Sequence, residues 1–88
     1  AIIQNGNKNT GKALGNYKTT AKPALKVREG PGESYDRVPK SKLTKDGQAH
    51  SNENGGLLPG TTVTVSEWIG DWAKIPSGFV KGTYLVKV

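Results

Sequence analysis

The 88-residue sequence has no cysteine, no methionine and a single histidine. Without cysteine there is no disulfide framework and no thiolate metal site. One histidine and no thiol cannot supply the nitrogen and sulfur ligands of a zinc centre. No apolar run approaches the roughly 20 residues that span a bilayer, and no signal-peptide pattern is present. Helical periodicity is missing too: no 11-residue window combines 3.6-residue apolar spacing with sensible caps. Apolar residues make up only 33% of the chain. A domain of this size and composition has a small core, and no staple is visible to reinforce it. The chain starts at Ala1, and with no methionine anywhere it reads as a piece of a longer or processed product.

What the chain does have is turns and positive charge. Twelve glycines and five prolines punctuate short β-prone runs. The formal net charge is +6, which favours residence near a polyanion such as wall teichoic acid, nucleic acid or anionic lipid. The charge is uneven along the chain. Lys8, Lys12, Lys18 and Lys22 carry it through residues 1–24 without one acid, while the rest is near balance. That distribution argues against a uniformly basic nucleic-acid face.

Residues 1–16, rich in Asn, Gly and Lys, read as a linker or disordered arm, and residues 17–88 as one domain. "YKTTA" (17–21) has strand composition. "ALKVR" (24–28) alternates Leu25 and Val27 with Lys26 and Arg28, the pattern of a half-buried strand. "EGPGES" must then turn, since glycine tolerates positive φ and proline presets φ near −65°. "YDRV" is a candidate short strand. Residues 40–56 are polar and turn-rich, either a long loop or a hairpin turning at Asp46-Gly47. "LLPGTTVTVSEW" places Val63 and Val65 on one face, "IGDW" turns, and "WAKI", "GFV" and "TYLVKV" close the chain. The expectation is an all-β fold, a small barrel of about six short strands.

"ALKVREGPGESYDRV" resembles the opening signature of bacterial SH3 domains, a Leu-x-Val-Arg strand running into a Gly-Pro turn and an aromatic. "LLPGTTVTV" resembles that family's leucine-glycine strand, "GDWAKI" its Gly-x-Trp strand, and "SGFVKGTYL" its Gly-aromatic-Val turn followed by Tyr-Leu. The resemblance covers residues 17–88 in order. It departs at 40–56, which is longer than usual, and at Phe79, where the family more often has Trp. It implies an SH3-like barrel, without catalysis or cofactor, that holds a peptidoglycan hydrolase such as a phage endolysin or autolysin on the wall. The implied partners are peptidoglycan, with teichoic acid as a second wall polymer, and a catalytic domain in the same or an associated chain. The implied location is extracellular, at the cell wall.

Catalysis finds little support in the residues themselves. His50 lies in the most polar stretch, away from any paired nucleophile. Glu29, Glu33 and Asp36, and separately Glu67 and Asp71, sit among turn residues where solvated acids are ordinary. No phosphate loop is present. Binding residues are more readily found. Trp72 and Lys74 share one face of "WAKI", with Ala73 and Ile75 on the other. Trp72 floors a groove if Ala73 and Ile75 turn inward, and becomes core if a bulge swaps the faces. Trp68 adjoins a turn, where the core has no need of it. Tyr35 follows the Gly-Pro-Gly turn and Tyr84 follows Gly82, each able to present a ring with a hydroxyl. Arg28, Glu33 and Asp36 are candidates to pair with a peptide's ends. The candidate ligand-binding set is therefore Arg28, Tyr35, Asp36, Trp68, Trp72 and Tyr84. Two other classes stay open: a basic barrel stacking nucleic-acid bases, disfavoured by the charge distribution, and a protein–protein or self-association module.

Overall fold

A computed structural model describes residues 12–88. Most of the expected 1–16 arm lies outside the described residues. The part inside them is largely exposed but tied to the domain: the Ala13 carbonyl accepts from the Tyr17 hydroxyl (2.6 Å) and from Trp68 Nε1 (3.0 Å). The Lys12 ammonium stands 4.7 Å from the centre of the Trp68 ring.

The chain is a small all-β fold of two antiparallel three-stranded sheets. The first sheet has β1 (Gly15–Thr19) between β2 (Thr62–Val65) and β6 (Leu85–Lys87). The second has β4 (Trp72–Ile75) between β3 (Glu67–Ile69) and β5 (Gly78–Lys81). The 62–69 run is continuous in sequence but serves both sheets, changing over at Ser66, whose N–H donates to the Lys74 carbonyl (3.0 Å). Val63 and Val65 face the core from β2, and Trp68 faces it from β3. The inward phase therefore shifts by one residue at the crossing.

The two sheets share one core. Tyr17, Val63 and Val65 come from the first sheet, and Trp68, Ala73, Ile75 and Val80 from the second. Leu25, Val27, Val38, Leu43 and Leu57 are added by the connecting segments. Tyr17 meets Trp68 edge to face, with ring centres 5.7 Å apart, a favoured arrangement for aromatic quadrupoles. Thr19 and Thr61 are buried but satisfied: Thr19 Oγ1 donates to the Leu58 carbonyl and accepts from the Thr61 N–H (2.8 and 3.1 Å).

"ALKVR" is extended as expected, but it joins the fold through isolated bridges rather than a full ladder. Leu25 pairs with Leu57, and Arg28 pairs with both Arg37 and Phe79. "YDRV" forms no strand: it contributes the Arg37 bridge, the Val38 N–H that donates to the Val27 carbonyl (2.8 Å), and the Val38 side chain to the core. Residues 40–56 form neither a long loop nor a hairpin. They hold a 3-10 turn (Lys40–Lys42) and a short helix, α1 (Lys45–Ala49). Thr44 caps α1, its Oγ1 accepting from the Gly47 N–H at 3.0 Å, and Asp46 sits in the first turn, where a negative charge suits the helix dipole. Among the described residues no helix is long and apolar enough to cross a membrane.

Candidate functional site

The sharp end of the "LKVREGPGESY" strand has a local cause. Arg28 bonds to Phe79 in both directions, N–H to carbonyl at 2.8 and 2.9 Å, and the chain then leaves the sheet. The loop 29–36 is closed by the Glu29 N–H on the Asp36 carbonyl (2.9 Å) and by Arg28 Nη1 on the Tyr35 carbonyl (3.0 Å). The Tyr35 ring lies directly over Gly30, where a Cβ would stand 2.2 Å from it. Glycine at position 30 leaves room for the ring to lie against the backbone.

Ala73 and Ile75 are buried, so Trp72 takes the outward face of β4 and is half-buried. Its cross-strand partners are Ile69 on β3 and Lys81 on β5, and residues directly opposite share a face. Beside Trp72 runs a cleft of about 200 Å³. Its walls come from the 21–28 segment, from Lys81, and from Tyr84 in the 3-10 turn that follows β5 (Gly82–Tyr84). Three of the six expected residues, Arg28, Trp72 and Tyr84, therefore come together in one site.

The other three lie elsewhere. Trp68 is only 5% exposed and is a core residue: Tyr17 packs on its ring, the Ala13 carbonyl takes its indole N–H, and Lys12 lies over it. It has no face left for a ligand. Tyr35 and Asp36 are exposed, but with Glu29 and Ser34 they line a separate, shallow recess. Tyr35 reaches the cleft only indirectly, through its carbonyl on Arg28. His50 is exposed at the end of α1, its Nδ1 2.8 Å from the Asp46 carbonyl oxygen and 3.5 Å from the Asp46 carboxylate.

Sequence reasoning missed the cleft's cations. Lys22, Lys26 and Lys81 line it beside Arg28, and Glu33 is its one carboxylate. Glu33 is paired with Lys81 Nζ at 3.3 Å, a half-exposed pair of small energetic weight. Lys26 was within reach of the alternation argument, because it shares the outward face with Arg28. Lys81 was not, since its place opposite Trp72 depends on the register of β4 and β5. A small cleft with aromatic and cationic walls suits a short anionic or amide-rich ligand. Compared with known proteins, the chain matches no family model, no curated protein and no solved structure.

Proposed function

We propose that this chain is a non-catalytic, SH3-like module that binds bacterial cell-wall peptidoglycan, through its stem or cross-bridge peptides, and holds an attached peptidoglycan hydrolase on the wall outside the cell. The observation that carries the reading is the convergence of Arg28, Trp72 and Tyr84, from three separate motifs, on one cleft. The order of those motifs, which resembles bacterial SH3 domains, supports it independently. Rings that cover small side chains and cations that meet carboxylates are what a wall peptide requires. A cleft this small binds weakly on its own, and attachment to an enzyme raises occupancy through effective concentration.

Sedimentation with purified Gram-positive sacculi, before and after teichoic acid is stripped, tests the reading. The chain is expected to pellet with stripped sacculi and to remain bound when salt is raised from low to physiological strength. Binding that disappears with teichoic acid would make the module a polyanion binder and overturn the peptidoglycan reading. Salt-sensitive retention on oligonucleotides in place of sacculi would favour the nucleic-acid alternative.

A further inference from the structure

The cleft begins where two extended segments part. Arg28 and Phe79 form an antiparallel, doubly hydrogen-bonded pair. Two residues further along, the same register would set Lys26 opposite Lys81, and both residues line the cleft. Like charges directly opposite each other disfavour strand pairing, and no hydrogen bond joins these two residues.

Backbone alternation leaves this edge open. Leu25 commits its N–H and its carbonyl to Leu57 (both 2.8 Å), and the Val27 carbonyl accepts from the Val38 N–H (2.8 Å). Ala24 and Lys26 therefore direct their backbone groups the other way, and among the described residues those groups have no backbone partner. Phe79 turns its groups toward Arg28, so the N–H of Lys81, two residues on in β5, lies along the same edge, while its carbonyl leads into the 3-10 turn Gly82–Tyr84. The open strand edge along Ala24 and Lys26 suits an extended peptide chain.

The charge completes the specification. Lys81 is paired with Glu33, while Lys22, Lys26 and Arg28 pair with no carboxylate among the described residues. Three cations around a half-enclosed cleft favour an anionic ligand over a neutral one and repel an amine.

From this geometry we infer that the cleft selects the free carboxylate end of an extended peptide. The carboxylate meets Lys22, Lys26 and Arg28, the peptide backbone pairs with the 24–26 edge, and Trp72 and Tyr84 cover the small side chains. The inference deepens the proposed function and rests on it for the wall as the source of the peptide. It assigns recognition to an acidic peptide end rather than to a neutral cross-bridge.

The test is an amide-resolved NMR titration of the full chain with N-acetyl-trialanine as the free acid and as its C-terminal amide, beside sedimentation with stripped sacculi. The free acid should bind about tenfold more tightly than the amide, shifting the amides of residues 24–28, 72 and 81. Lys26→Glu should weaken acid binding about tenfold and so remove the preference for acid over amide. Lys22→Glu provides a second charge reversal should the first disturb the fold. Equal binding of acid and amide would overturn carboxylate selection and leave the wall reading intact. So would binding to sacculi with no response to either peptide. Acid-selective binding without sacculus binding would uphold the cleft chemistry and overturn the wall. If inorganic phosphate displaced the peptide at equal concentration, the site would be a general anion site and the inference would fail.

Discussion

At the scale of single residues, two glycines carry rings, and their surroundings set how much each matters. A Cβ at Gly82 would stand 2.4 Å from the Trp68 ring and 2.9 Å from the Asp71 carbonyl oxygen. Trp68 is held on all sides in the core and cannot retreat. A Cβ at Gly30 would come equally close to Tyr35, but Tyr35 is 43% exposed and its ring can swing into solvent. Gly82→Ala is therefore expected to destabilise the fold by about 2–3 kcal/mol, as overpacking does in a full core, and Gly30→Ala by less than about 1 kcal/mol. Urea unfolding of the two variants measures the difference, and equal losses would contradict the account. The two tryptophans divide along the same line, Trp68 holding the core and Trp72 facing the cleft. The sequence itself carries a signal for this division. A two-residue Gly70-Asp71 turn sets Trp68 opposite Ala73 and Ile69 opposite Trp72. Once Ala73 faces inward, Trp68 must do so as well.

At the scale of elements, strands with regular alternation were legible. Thr62–Val65 and Trp72–Ile75 lie where their alternating residues predict, and the Gly70-Asp71 turn falls between β3 and β4. The phase shift at Ser66 was not legible, because only pairing to a different sheet causes it. Helix α1 escaped for a different reason: five residues are too few to show a period, and Asp46-Gly47 reads equally well as a hairpin turn. The signal that could have separated the two is Thr44, whose side chain caps the Gly47 N–H and lies 3.3 Å from Ser77 Oγ. Thr44→Val should cost about 1 kcal/mol and lower the melting temperature by about 4–8 °C, as followed by circular dichroism. An unchanged melt would mean that the helix is held by packing alone, through the buried Gly47.

At the scale of the whole molecule, charge was readable as an amount along the chain but not as a place in space. Counted by segment, the domain outside the leading residues is close to neutral. Folding nonetheless gathers Lys26, Arg28 and Lys81, with Lys22 from the leading segment, around one cleft with a single carboxylate, while Glu29 and Asp36 line a separate recess. The motif residues Arg28, Trp72 and Tyr84 could be named from sequence, but their lysine neighbours required the register of β4 and β5 and the parting of the strands beyond Phe79. The central claim is that this cleft is the wall-binding surface. Its most direct test is the affinity of Trp72→Ala for sacculi stripped of teichoic acid, measured beside the native chain and beside Thr62→Ala, a substitution on the exposed edge strand β2 away from the cleft. With the fold of each verified by circular dichroism, the account predicts that Trp72→Ala binds about tenfold more weakly or worse, as loss of a buried aromatic anchor does, and that Thr62→Ala binds as the native chain does. Unaltered binding by a folded Trp72→Ala would contradict it.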